Sequence, residues 1–70
     1  MNSIGKKIKE LRIKKGISQD QVAVTLGITR QAVNLWEKSK SMPKLKRLHQ
    51  LSTVLGCSVQ ELVSSERIEE

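Results

Sequence analysis

Apolar residues recur at helical spacing along most of the chain, in short stretches that glycine and polar residues separate. In the first stretch, Ile4, Ile8 and Leu11 follow one another at intervals of four and three residues, which places them on one stripe of a helix. That helix is predicted to run to about Lys15. No stretch alternates apolar and polar residues as a strand does, and no repeat or low-complexity tract is present. The pattern predicts an all-α, compact five-helix bundle.

Capping residues mark where these helices begin and end. The predicted N-caps are serine or threonine residues: Ser3, Ser18, Thr29 and Ser58. Gln21 and Glu61 each follow a predicted serine cap by three residues, which completes a capping-box pattern. Gly16, Gly27 and Gly56 are the predicted C-terminal stops. We expect a positive φ at Gly27, which a residue with a Cβ would resist.

The second half of the chain is predicted to contain two helices after a polar, basic loop at Lys38–Pro43. The fourth helix starts near Lys44, and four leucines form its apolar side: Leu45, Leu48, Leu51 and Leu55. The fifth helix is short and contains three apolar residues: Val59, Leu62 and Val63. We therefore expect one folded domain at residues 1–64 and an acidic tail at residues 65–70.

The stretch Ser18–Trp36, SQDQVAVTLGITRQAVNLW, is predicted to form two short helices broken at Gly27. Ala23 lies four residues before that glycine and Val33 six residues after it, a spacing that lets the two helices cross closely. On a wheel of about 100° per residue, the second helix has a packing side: Thr29, Ala32, Val33 and Trp36. Its opposite side is mostly polar: Arg30, Gln31, Asn34 and Leu35. This arrangement predicts a helix-turn-helix whose second helix enters a DNA major groove.

The distribution of charge favours a polyanionic partner. The formal net charge is +6 and the isoelectric point is about 9.9. Residues 1–16 carry six basic side chains and one acidic one, and residues 37–50 carry five and one, so two basic segments flank the central stretch. Residues 51–70 carry four acids against one arginine. A polyanion is therefore attracted to the centre of the chain, although net charge alone also serves solubility.

Few residues are available for other chemistry. One cysteine, Cys57, cannot form an internal disulfide, and with His49 alone it cannot complete a zinc site. We expect Cys57 to be a small buried residue, and Trp36 to lie in the core rather than serve as a base-stacking platform. No phosphate-binding glycine loop, activated nucleophile or long apolar segment is present. We therefore expect no enzyme activity, cofactor, metal or membrane association, and a cytoplasmic location.

Three motifs resemble the Xre/Cro/phage-repressor class of helix-turn-helix domains: GISQDQVAVTLGITRQAV, NLWEKSKSMP and LHQLSTVLGCSVQEL. The resemblance extends over roughly Ile4–Val63, and the joint spacing of the motifs is more specific than any one of them. It implies that Gln19 contacts a phosphate and that Arg12 and Glu37 form a partly buried ion pair. It also implies base-facing positions on the third helix: Arg30, Gln31 and Leu35, with Asn34 between them. Leu35 departs from the class, in which several members carry a polar base reader here.

The predicted site divides into base-reading and phosphate-contacting residues. Arg30 can donate two hydrogen bonds to O6 and N7 of guanine, and Gln31 or Asn34 can pair with N6 and N7 of adenine. Leu35 offers apolar contact to a thymine methyl group. The predicted phosphate contacts lie near helix ends and in the basic loop: Gln19, Thr29, Lys38, Ser39 and Lys40. The alternative for the whole face is an ordinary solvated helix surface.

These observations lead to three functional hypotheses. We expect a sequence-specific regulator of transcription that binds double-stranded DNA, a repressor acting as a homodimer on a palindromic operator through the helix at Thr29–Glu37. An alternative is an antitoxin-like or other protein-interaction module with secondary DNA binding. A third is an accessory DNA protein, such as a restriction-modification controller or a phage lysis–lysogeny switch. We expect no small-molecule effector, because 70 residues leave little room for its domain.

Overall fold

The fold is all-α in a computed structural model that describes residues 4–64 of the chain. Its five helices are α1 Ile4–Lys15, α2 Gln19–Leu26, α3 Arg30–Glu37, α4 Leu45–Leu55 and α5 Val59–Ser64. No strand occurs within this range. The predicted five-helix architecture is confirmed. Ser3, the predicted first N-cap, and residues 65–70, the predicted acidic tail, lie outside the described residues.

Every helix contributes one fully buried aliphatic side chain to a single core. These side chains are Ile8 of α1, Val22 of α2, Val33 of α3, Leu51 of α4 and Leu62 of α5. The helices pack pairwise around them, with α3 lying against both α1 and α2. Trp36 is also buried in this cluster, as predicted. Because α3 supplies only one edge of the core, its other side remains at the surface.

The start of α2 and the turn from α2 to α3 are defined by local caps that the sequence predicts. Ser18 Oγ accepts from the backbone N–H of Gln21 at 3.0 Å, and the Gln21 side chain accepts from the Ser18 N–H at 2.7 Å. Gly27 ends α2 with φ 74°. Thr29 Oγ1 then accepts from the N–H of Ala32 at 3.2 Å and starts α3. Thr29 is exposed, so its predicted place on the packing side is wrong: its side chain turns to the helix end instead.

Leu45 corrects the predicted apolar side of α4. Leu48, Leu51 and Leu55 are buried, but Leu45 is 64% exposed. On a wheel of about 100° per residue, the three buried leucines fall within about 60°, and Leu45 lies about 90° from their centre. Leu45 is also the first residue of the helix, at the periphery of the core. Its alignment with the other leucines was therefore only approximate.

α1 crosses the C-terminal end of α3 at a buried glycine, Gly5. A Cβ at this position would overlap the backbone carbonyl oxygen of Trp36 and would lie 2.9 Å from Ser39 Oγ. Ser39 itself adopts a left-handed conformation with φ 62°. Glycine therefore lets the backbones of α1 and α3 approach more closely than any other residue would permit.

Cys57 lies in the turn between α4 and α5 and is partly buried. Burial raises the pKa of its thiol, and Glu61 raises it further against an opposing effect of Lys7. Because the folded state holds this proton more tightly, the thiol stabilises the fold below the unfolded pKa of about 8.5 and loses that contribution as the pH rises.

We therefore expect alkylation of Cys57 to be slower in the folded protein than in urea. The pH at which the alkylation rate reaches half its maximum should also be higher in the folded protein than in urea. The free energy of unfolding should also fall more steeply above about pH 8.5 than in the variant Cys57→Ser. The alkylation rate measured as a function of pH, with and without urea, gives the two midpoints. Urea titrations of both proteins at several pH values give the free energies of unfolding. A native midpoint at or below that in urea contradicts the expectation.

Candidate nucleic-acid interface

The outward side of α3 is polar and open to solvent. Arg30 and Gln31 are exposed, Leu35 is 36% exposed, and Asn34 is half-buried. Arg30, Gln31 and Asn34 line an open concavity of about 310 Å³. The structure thus brings all four predicted base-reading residues onto one face while Val33 and Trp36 hold the opposite side of the helix in the core.

A bidentate ion pair anchors the C-terminal end of α3 to α1. Arg12 Nε lies 2.6 Å from Glu37 Oε2, and Arg12 Nη2 donates to Glu37 Oε1 at 3.0 Å. Arg12 Nη1 also donates to the carbonyl oxygen of Ile17 at 3.0 Å. The Arg12 side chain is 12% exposed and the Glu37 side chain is 2% exposed. The hydrogen bond to Glu37 raises the pKa of Arg12. The ion pair that the family resemblance implied is confirmed, and it is largely buried.

Gln19 connects this ion pair to the outward side of α3. Its side-chain amide donates to Glu37 Oε1 at 3.0 Å and to Asn34 Oδ1 at 3.3 Å. Both amide hydrogens therefore have protein acceptors. A contact from this amide to a phosphate would have to replace one of these two bonds. The predicted phosphate contact of Gln19 stays a prediction.

Arg30 has an acidic neighbour that the sequence did not identify as part of the site. Asp20 Oδ1 lies 3.6 Å from Arg30 Nε, and the two side chains are 74% and 65% exposed. An ion pair this exposed stabilises the fold by well under about 1 kcal/mol. Its effect is on the surface potential, since Asp20 places a negative charge beside a predicted base reader. The sequence could have indicated this pair, because Asp20 and Arg30 carry opposite charges in the first turns of the consecutive helices α2 and α3.

The predicted phosphate-contacting residues flank the α3 face. Thr29 is exposed at its N-terminal end, where unpaired backbone N–H groups favour anions. Lys38, Ser39 and Lys40 are exposed immediately after its C-terminal end. The backbone N–H of Lys40 donates to the carbonyl oxygen of Leu35 at 2.9 Å, which turns the chain back over the helix end. Two lysines therefore lie next to the predicted base-reading face.

Residues 4–64 contain no group of three or more His, Cys, Asp or Glu side chains placed to hold a metal ion. Within the same range, no helix has both the length and the apolar character needed to cross a membrane.

Two helices joined by a tight turn, the second presenting polar side chains outward, define a helix-turn-helix domain. A family model described as "Helix-turn-helix" matches residues 8–62. The chain belongs to the Xre/Cro-type helix-turn-helix family.

Similar proteins agree with this assignment. The chain is 44% identical over 59 residues to the SPbeta prophage-derived uncharacterized HTH-type transcriptional regulator YonR of Bacillus subtilis (strain 168), covering 84% of this chain and 55% of YonR. The chain thus spans about half the length of that relative.

Solved structures match the fold over nearly their whole length. The P22 c2 repressor protein in complex with a synthetic operator has a TM-score of 0.82 at 31% identity, covering 89% of this chain and 94% of the repressor chain. SinR, the master regulator for biofilm formation, in complex with DNA, has a TM-score of 0.79 at 31% identity, with 86% and 97% covered. Both structures share the five-helix fold.

Proposed function

We propose that this protein is a transcriptional regulator that binds double-stranded DNA sequence-specifically, with α3 in the major groove, and that it acts as a repressor. The observation that carries the proposal is the outward side of α3, which presents hydrogen-bonding side chains from a helix held on its other side by the core. The family and the DNA-bound structures that it resembles support the same function. The DNA-binding domain is proposed to comprise residues 1–64, with residues 65–70 as a separate acidic tail.

Base reading is proposed for the exposed part of this face. The Arg30 guanidinium matches the paired acceptors O6 and N7 of guanine, and the Gln31 amide matches N6 and N7 of adenine. Leu35, one third exposed, offers an apolar surface to a thymine methyl group. Each bidentate pair discriminates against a wrong base by about 1–3 kcal/mol. Asn34 also lies on this face, and its hydrogen bonds determine what it can read.

Phosphate contacts are proposed on both sides of the groove. Thr29 lies at the N-terminal end of α3, while Lys38, Ser39 and Lys40 follow its C-terminal end. Gln19, at the start of α2, is the remaining candidate. Such contacts fix the position of the protein along the backbone without reading sequence.

One domain presents too few base readers to select a site within a genome, because specificity accumulates over the base pairs that are read. We therefore propose binding as a homodimer to a palindromic operator, which doubles the contacts. The half-sites should lie about 10–10.5 base pairs apart, or a multiple of that, so that both copies meet the same side of the duplex.

Binding to random duplex DNA at increasing salt tests the functional class. If Lys38 and Lys40 of two protomers contact phosphates, raising the salt from 50 to 200 mM should weaken binding about 100-fold. The reason is that each contact releases counterions from the DNA, and this release is less favourable at higher salt. Fluorescence anisotropy of a labelled duplex measures this. The variant with Lys38→Ala and Lys40→Ala should have a clearly shallower salt slope.

The matched control removes Lys14 and Lys15 instead. These residues lie beside Cys57 and α5, in a concavity distinct from the α3 face. Their loss removes the same formal charge and should leave the slope closer to that of the unmodified protein. Negligible binding that does not change with salt would contradict DNA binding and favour a protein partner.

A further inference from the structure

A directed series of hydrogen bonds ends on the predicted base-reading face. It starts at the guanidinium of Arg12, which donates to both carboxylate oxygens of Glu37. The Gln19 amide donates to the same carboxylate at 3.0 Å and to Asn34 Oδ1 at 3.3 Å. The series thus joins a buried ion pair to an amide that lines the concavity on α3.

The direction of every bond in this series follows from the charges at its start. Arginine only donates, and an ionised carboxylate only accepts. Both oxygens of Glu37 accept hydrogen bonds from Arg12, so Glu37 is the acceptor-only member of the series. Gln19 must therefore present its NH₂ group, not its oxygen, to Glu37.

The orientation of Gln19 in turn sets that of Asn34. The second hydrogen of the Gln19 NH₂ group is directed to Asn34, which can bond to it only through Oδ1. The Asn34 amide is thereby oriented, with Oδ1 committed inside the protein and Nδ2 left as the group available to a ligand. A free asparagine, by contrast, can present either end of its amide.

We propose that Asn34 is a fixed hydrogen-bond donor that reads guanine or thymine in the major groove, and that Gln19 is its positioning residue. The inference rests on the proposed function and deepens it. Adenine recognition needs the asparagine oxygen to accept from N6 and its nitrogen to donate to N7. With Oδ1 bonded to Gln19, adenine would keep only the bond from Nδ2 to N7, and its N6 amino group would face Asn34 without an acceptor, so the two-bond pairing with adenine is disfavoured. Guanine offers N7 and O6, and thymine offers O4, to the donor that remains.

Selection of bound sites from a random duplex library tests this assignment. Comparing the unmodified protein with Asn34→Ala identifies the base pair that Asn34 reads, as the one whose preference weakens. In the unmodified protein, that base pair should favour guanine or thymine over adenine by about 5-fold, the effect of one hydrogen bond. The remaining positions should be unaffected by this substitution.

Two variants then test whether the orientation of the Asn34 amide, and not only the presence of a side chain at this position, determines the preferred base. Asn34→Asp keeps an oxygen for Gln19 but replaces the outward donor by an acceptor, so the preference for guanine or thymine should be lost. Gln19→Leu removes the bond that orients Asn34, so adenine should rise about 5-fold relative to the unmodified protein at that base pair alone. Gln60→Leu makes the same change at an exposed position on α5 and should leave the selected motif unchanged.

Thermal unfolding identifies any variant that fails to fold. If Gln19→Leu does not fold, Asn34→Asp carries the test, because it retains the acceptor for Gln19. The proposal is overturned if adenine is preferred by the unmodified protein at this base pair, if Asn34→Ala weakens no base-pair preference, or if the folded variants leave the preference unchanged. Absence of salt-dependent duplex binding by the unmodified protein overturns the proposed function as well, so the two failures are distinguishable.

Discussion

Replacing Arg12 by alanine is expected to lower the free energy of unfolding by about 3–5 kcal/mol. Removing the guanidinium leaves Glu37, whose side chain is 2% exposed, as a charge without its partner in the protein interior. It also removes a donor to the carbonyl oxygen of Ile17. At about 0.05–0.15 kcal/mol per residue, a domain of this size has a total stability of only about 4–10 kcal/mol. The variant should therefore be largely unfolded near its former melting temperature.

Urea titrations monitored by circular dichroism measure this loss. The double variant Arg12→Met with Glu37→Leu provides the comparison, because replacing both charges by apolar groups avoids the uncompensated carboxylate. It should recover most of the stability that Arg12→Ala loses. A loss below about 1 kcal/mol in Arg12→Ala would show that water or another donor satisfies Glu37, against the burial described above.

The second large effect is expected at Gly5. Alanine has a higher helix propensity than glycine, so Gly5→Ala in an open helix would stabilise the fold by about 0.5–1 kcal/mol. At this position the added Cβ overlaps the carbonyl oxygen of Trp36, and that atom belongs to the backbone of α3. The two helices must separate, and we expect a net loss of about 2–3 kcal/mol, in the range for overpacked cores.

Lys6→Ala is the control for this substitution, because Lys6 is the next residue on α1 and is exposed. It should change stability by less than about 0.5 kcal/mol. The urea midpoints of the two variants measure the difference, provided that the free energy of unfolding depends equally steeply on urea concentration in both. A Gly5→Ala protein that equals or exceeds the unmodified protein in stability would contradict the close approach of α1 and α3.

The sequence predicted those parts of the structure that depend on neighbouring residues. The cap at Ser18, the positive φ at Gly27 and the amphipathic character of α3 each arise within one or two helical turns, where residue type and spacing determine the geometry. The ion pair of Arg12 with Glu37 is a long-range contact, and only the family resemblance implied it.

Other features were not predictable because they depend on how helices cross. The hydrogen bond from Gln19 to Asn34 joins residues 15 positions apart, and polarity alone indicates neither the partner nor the direction of the bond. The requirement for glycine at position 5 becomes visible only when Trp36 is placed beside it. For the same reason, helical spacing placed Leu45 with the buried leucines, although it lies about 90° from their centre and is exposed.

The central claim is that the outward side of α3 reads a DNA sequence. Its most direct test is selection from a random duplex library by the unmodified protein and by a variant carrying Arg30→Ala and Gln31→Ala. Both side chains are exposed, so the variant should retain its circular dichroism spectrum. We predict that the unmodified protein enriches an inverted repeat with half-sites about 10 base pairs apart, and that the variant loses this enrichment. The absence of any enriched motif, or an identical motif with the variant, would contradict the claim.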